Sequence, residues 1–301
     1  MVEKRAWLTR HADHLRRALL LEPRGHVDMC AAILTEAVAP GSHAGVVFMD
    51  HAGCGAVSGN GIIAVVTIAL ERGLIVQGDD SSGVILDTVA GTIRARANVT
   101  AERRVASVSF LDVPSFVLHG GVVVTLGAQR VRADVAYGGV FYAIVDGEAV
   151  GLPIDGAHLA ELRRTGVAIA KAVEEAHPAV HPADAGLGGI AGTIFTGPPR
   201  DERAALRNAT VFADGRVDRS PSGTGTAAVM AVLDAMGMLG SDVPFVHESL
   251  IGTFVTGRIA GRTMVGDYPA IVPEIEGSAW ITGEHLFVID EDDPLKHGFR
   301  V

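Results

Sequence analysis

The chain has 301 residues, 48% of them hydrophobic and 20% charged, which excludes a disordered polypeptide and leaves room for two domains with cores of their own. The formal net charge is −10 and no Lys/Arg run interrupts the acidic balance, so a nucleic-acid-binding surface is excluded. Two cysteines, Cys30 and Cys54, are too few for a disulfide framework and point to a reducing, cytoplasmic setting. No signal-like apolar segment follows Met1, and the longest apolar run, residues 61–70, is about half of a membrane span, so no membrane partner is expected.

Residues 3–20 read as one helix, with Trp7, Leu8, Leu15, Leu19 and Leu20 near one face and Arg16 and Arg17 on the other. Pro23 and Gly25 make residues 21–29 a turn, residues 31–38 read as a strand, and residues 45–50 form the strand that feeds the helix beginning after Ser58. Short strands are expected at 74–76, 83–86, 92–95, 105–110 and 122–124, with a domain boundary at 113–116. Residues 133–139 lead into a strand at 140–145, and residues 156–176 form an amphipathic helix. In residues 177–184 two His and an Asp invite a metal reading, but Pro178 and Pro182 forbid the single helix face that a His-x₃-His pair needs, so no metal is assigned. A strand at 192–196, a hairpin at 211–217, a second helix after Ser222 and further short strands reaching 286–290 complete the chain. The acidic run Asp290–Asp293 is read as a solvated turn.

The two helix starts repeat one another. Ser58-Gly59-Asn60-Gly61 and Ser222-Gly223-Thr224-Gly225 align without a gap through Ala64/Ala228, Val65/Val229 and Gly73/Gly237, giving six identical positions. Each reads as a serine-capped helix closed by a C-terminal glycine. Such starts aim free N–H groups and the positive end of the helix dipole at an anion. Two of them facing each other would hold one small anionic molecule between two hydroxyls.

The stretches Glu22-Pro23-Arg24-Gly25-His26-x-Asp28-Met29, Val113-Pro114-Ser115-Phe116-Val117, Asp134-Val135-Ala136-Tyr137-Gly138-Gly139, Asp218-Arg219-Ser220-Pro221-x-Gly223-Thr224-Gly225, Val265-Gly266-Asp267-Tyr268 and Asp292-Asp293-Pro294-Leu295 together resemble the proline racemase family, within it the trans-3-hydroxy-L-proline dehydratase branch. The resemblance implies an α/β (α+β) fold of two pseudo-symmetric domains, as in diaminopimelate epimerase. Each wraps a curved sheet around a central helix, with the active site in the interdomain cleft. The first domain would comprise residues 1–114 plus about 285–301, and the second residues 115–284. The resemblance further implies a cofactor-free enzyme acting on a small imino or amino acid, and a homodimer is among the assemblies it allows.

Carried over residue by residue, the resemblance makes Ser58 and Ser222 the acid/base positions and Asp218 the group that binds the ring nitrogen. Backbone N–H groups near Gly59, Asn60, Gly61, Gly223 and Thr224 would hold the carboxylate. Three departures stand out. The acid/base positions are Cys in racemases, and in dehydratases Cys or Ser at the first and Thr at the second; here both are Ser. The family His after the first pair is Asn60, and the His-Thr-x-Gly-Glu-Pro-like strand that opens family members is not present, whether by truncation or by loss in this branch.

A helix dipole contributes only about 1 kcal/mol, so a serine hydroxyl needs further help to act as a base, where a thiol with a pKa of about 8.5 needs little. Racemisation requires strong groups on both faces of the substrate; dehydration requires one. The Ser/Ser pair therefore favours a lyase. A racemase or epimerase, and a family member that binds an imino acid without turning it over, are the alternatives. Cys54, His26 and His51 are the nearest replacement bases, each weighed against a purely structural role.

Overall fold

The computed structural model describes residues 1–55, 57–75, 83–240 and 243–300. The chain divides into two compact units, Met1–Phe110 with Ser278–Val301, and Leu111–Gly277.

The first unit opens with two helices where one was expected, α1 (Val2–His11) and α2 (Asp13–Leu20). Ala12, at φ −130°, leaves the helical region between them. α1 buries none of its residues and Trp7 is 57% exposed, so the expected apolar face does not run through both helices. Arg16, expected on the outer face, is buried instead. Its guanidinium donates to the carbonyls of Asp50 and His51 at 2.9 and 2.6 Å and pairs with Asp13. An arginine can sit there because acceptors meet its fork of donors.

Strands β1 (Cys30–Thr35) and β2 (Ala44–Asp50) are antiparallel, and β2 is buried at every position but its last. α3 (Gly59–Glu71) then crosses over to β3 (Val84–Thr88), which is parallel to β2, as a parallel pair requires. β4 (Gly91–Val99) and β5 (Val105–Leu111) continue as an antiparallel meander. The strand expected at 74–76 is not formed at Leu74 and Ile75. Both amides bond back to the Ala69 carbonyl, at 2.8 and 3.1 Å, and close the helix end around Gly73 at φ +66°. Val76 lies outside the described residues.

The second unit contains β6 (Ser115–Leu126), β7 (Gln129–Tyr137), β8 (Phe141–Asp146), α4 (Leu159–Ala176), the short pair β9 (Val180–His181) and β10 (Asp184–Gly188), β11 (Ile190–Gly197), β12 (Leu206–Phe212), α5 (Gly223–Ala235), β13 (Phe245–Glu248), β14 (Phe254–Val265) and β15 (Tyr268–Gly277). The strands run in the order β15-β14-β13-β12-β11-β8-β7-β6, and β15 pairs with β6 through Ala270↔Phe116 and Ile271↔Ser115. Among the described residues these eight strands thus close on themselves, and closure pairs the strands that would otherwise be edges. β14 and β15, of 12 and 10 residues, are long where short strands were expected. The tail strand expected at 286–290 is absent, and Leu286 is 93% exposed.

α5 touches β6, β7, β8, β14 and β15 and is buried from Thr226 through Val232 without a polar face, the pattern of a helix enclosed by its sheet. α4 is amphipathic, burying Leu162, Ile169 and Val173 against a core that includes Phe116, Tyr137, Phe141 and Phe195. His181 belongs to this aromatic packing, 4.7 Å from the Tyr137 ring and 5.5 Å from that of Phe116.

The Gly138-Gly139 turn between β7 and β8 lies against the first turn of α5. A Cβ on Gly138 would strike the Thr224 carbonyl oxygen and stand 2.6 Å from the Ala228 nitrogen, both backbone atoms that cannot swing aside. Gly138→Ala should therefore destabilise the protein by about 1–3 kcal/mol, the usual cost of overpacking. Gly156→Ala, where the added carbon meets open space, should leave the thermal midpoint unchanged. Equal midpoints for the two variants would show that the contact does not hold the helix in place.

Candidate active site

In the first unit, β2 ends at Asp50, whose carboxylate accepts the N–H groups of Ala52 and Gly53 at 2.8 and 3.2 Å and bends the chain toward α3. Ser58 is the N-cap: its backbone is extended (φ −142°) and its Oγ accepts the Gly61 N–H at 3.1 Å. Gly61 is needed for packing, since a Cβ there would lie 2.5 Å from the Phe48 ring. Ser58, Gly59 and Gly61 are half-buried and Asn60 is exposed. The replacement bases make local contacts, His26 through its ring and His51 and Cys54 through their backbones. His26 Nδ1 accepts the Asp28 N–H, the His51 carbonyl receives Arg16, and Cys54 bridges back to Met49.

The second unit builds the other helix start with more polar contacts. Asp218 is fixed by its N–H to the Thr210 carbonyl at 2.9 Å. Its Oδ1 accepts both the N–H and the Oγ–H of Ser220, each at 2.9 Å. Ser220 Oγ in turn accepts the Ser222 N–H at 3.0 Å, and Asn208 Nδ2 donates to the Pro221 carbonyl at 2.8 Å. Held from both sides, Ser222 takes a positive φ of +66°, rare for a residue with a side chain. Its buried Oγ accepts the Gly225 N–H at 3.1 Å and lies 3.4 Å from Thr224 Oγ1. Thr224 Oγ1 is 2.8 Å from the phenol oxygen of Tyr142 on β8. One turn on, Thr226 Oγ1 meets Nδ1 of the buried His247 at 3.0 Å.

Burial sets the protonation of these groups. It raises the Asp218 carboxyl above the usual carboxylate value despite the opposing Ser220 hydrogen bonds. It pushes the Tyr142 phenol up to about 12, so the phenol keeps its proton. It pushes His247 down to about 3, so the imidazole is neutral. A carboxylate, a hydroxyl with several donors around it and the free amides of a helix start can bind an ionic ligand and move a proton.

Asp218, Ser222, Gly223 and Thr224 are thus brought together in the second unit, and Ser58, Gly59, Asn60 and Gly61 in the first. Sequence reasoning missed Tyr142, Asn208 and His247, which reach the helix start from distant strands and leave no local signal. Ser220 was accessible, because an Asp two residues before a Ser is the spacing of a side-chain-capped turn.

Residues 1–300 of the 301 match the family model described as proline racemase. It is 41% identical over 298 residues to a trans-3-hydroxy-L-proline dehydratase of Bacillus thuringiensis, covering 99% of this chain and 89% of that protein. Over 302 residues it is also 41% identical to a 3-hydroxyproline 2-epimerase of Burkholderia multivorans, covering 100% and 90%. The crystal structure of a hydroxyproline epimerase from Agrobacterium vitis with bound trans-4-hydroxy-L-proline superposes with a TM-score of 0.85 at 33% identity, covering 99% of this chain and 86% of that one. The chain belongs to the proline racemase family, and its mixed α/β fold is that family's fold.

The raised Asp218 pKa makes a signed prediction. The folded state keeps this proton at pH values where the unfolded chain has lost it, so the group lowers stability as pH rises from the ordinary carboxylate value, 3.8, through the folded one. Asp218→Asn should raise the thermal midpoint at pH 7 by a few degrees and have no such effect below the ordinary value, where both states are protonated. A constant difference across that window would rule out the raised pKa.

Proposed function

We propose that the protein is a cofactor-independent hydro-lyase that dehydrates trans-3-hydroxy-L-proline, or a close imino acid, to pyrroline-2-carboxylate in the cytoplasm. Its relatives include a dehydratase and an epimerase at the same identity, so the choice rests on the residues. The observation that carries it is serine at both acid/base positions, each spent as an N-cap on the amide of a glycine. Neither has the acidity of the thiols that two-sided racemisation uses.

In this reading the amides of Gly59, Asn60, Gly223 and Thr224 receive the substrate carboxylate, Gly61 shapes the turn while its own amide holds Ser58 Oγ, and Asp218 receives the ring nitrogen. Ser220 donates twice to Oδ1 of Asp218, and Oδ2 is the oxygen this reading offers to that nitrogen. Ser58 removes the Cα proton. The electron pair forms the Cα=Cβ bond, the C3–O bond breaks, and hydroxide leaves as water with the proton. In the trans-3-hydroxy isomer the Cα hydrogen and the C3 hydroxyl share one ring face, so a single residue can take the proton and return it. Ser222 then gives its proton to C3 of the enamine, the ring nitrogen gives up its own proton to restore Ser222, and the product is the cyclic imine.

Incubation in heavy water with trans-3-hydroxy-L-proline, L-proline and trans-4-hydroxy-L-proline separates the readings. The lyase consumes only the 3-hydroxy compound, slowly, and inverts neither of the others; rapid inversion of proline or 4-hydroxyproline would establish an epimerase instead. Calorimetry with pyrrole-2-carboxylate checks the binding roles. Asp218→Ala should weaken binding more than Thr224→Ala, because the second variant keeps its backbone donor. Equal losses would remove Asp218 from the site.

A further inference from the structure

The two serines occupy equivalent motif positions but differ in what surrounds their oxygens. Among the described residues, Ser58 Oγ has the Gly61 N–H as its hydrogen-bond partner. Ser222 Oγ has the Gly225 N–H at 3.1 Å and the Thr224 hydroxyl at 3.4 Å, and the Tyr142 phenol is close enough to interact with both hydroxyls. Tyr142 is only 1% exposed and stands on β8, a strand inside the closed sheet.

A hydroxyl offers one donor and two acceptor lone pairs. If the phenol donates to Thr224, Thr224 donates onward to Ser222. With the Gly225 amide on its other lone pair, Ser222 has both acceptor sites filled by the protein, and its own O–H is left to point at a ligand. The same donors stabilise the alkoxide formed when that proton leaves. We infer that Tyr142, acting through Thr224, is a positioning residue that holds Ser222 as the proton donor of the pair, leaving Ser58 as the base. The phenol suits the task because burial keeps it protonated up to about pH 12, so it retains a hydrogen to donate at any working pH. This inference rests on the proposed acid/base role of Ser222 but is tested without turnover.

The probe is a thiol. Ser222→Cys places a titratable group at the end of the chain, and its pKa is read from the pH dependence of iodoacetamide alkylation at that position by peptide mass spectrometry, separately from Cys30 and Cys54. Adding Tyr142→Phe should raise that thiol pKa by about one unit, the size expected for losing one hydrogen bond to a charged group. Adding Thr224→Val should do the same, and Thr224→Ser should not. The thiol of Ser58→Cys should be unmoved by Tyr142→Phe. In the otherwise native enzyme, Tyr142→Phe should lower kcat about tenfold with KM unchanged, since the phenol touches Ser222 and Thr224 rather than substrate.

An unshifted thiol at position 222 in the Tyr142→Phe background overturns the inference, whatever happens to kcat. So does an equal shift at position 58, which would indicate a general loosening of the fold. A shift confined to position 222 in a protein that turns over none of the three imino acids supports the donor chain and counts only against the lyase reading.

Discussion

The first turns of α3 and α5 pack against neighbouring atoms so closely that glycine is the residue that fits there. Gly61 abuts the Phe48 ring. A Cβ on Gly225 would lie 3.1 Å from Ile194, and Gly138 meets the α5 backbone itself. These contacts fix where each helix begins, and so fix the capping serine, which must reach the amide three residues on. They also explain why the repeat keeps the glycine at its fourth position but varies the third, where Asn60 and Thr224 differ. At the third position Asn60 is exposed, while Thr224 packs beside Gly139 and turns its hydroxyl to Tyr142.

Around α5 the closed sheet imposes a second constraint. A helix enclosed by strands has little access to water, so each polar group near its start needs a protein partner. The Pro221 carbonyl takes Asn208, Thr226 takes His247, and Asp218 takes Ser220 twice. Burial that demands these partners also sets their charge: His247 stays neutral, and Asp218 gives up its proton only above the ordinary range. Packing and protonation at this helix start are therefore one problem.

What was legible in the sequence follows from the range of each interaction. The serine caps, the C-terminal glycines and the crossover helix depend on residues within one or two turns, and the repeat displayed them. The length of β14 and β15 and the pairing of β15 with β6 depend on distant partners, so the pattern of apolar runs read as a series of short strands. Arg16 failed for the same reason: its charge argued for solvent, and its acceptors, the Asp50 and His51 carbonyls, lie 34 and 35 residues away. Tyr142, 82 residues from Thr224, had no local mark beyond its place in an apolar strand.

The repeat itself hides the difference that bears on chemistry. Ser58 caps its helix from a relaxed, extended backbone, whereas Ser222 does so from φ +66°, a conformation that costs about 1–3 kcal/mol for a residue with a side chain. Such strain persists only where the surroundings over-determine it. Here the Ser222 amide is tied to Ser220, the preceding carbonyl to Asn208, and Oγ to Gly225. The outcome is an oxygen set beside Thr224 and within reach of a phenol, where the relaxed start has one amide among its described partners. Equivalent serines in one motif are thus given different surroundings, and the acidity of an oxygen follows from what donates to it as well as from the residue type.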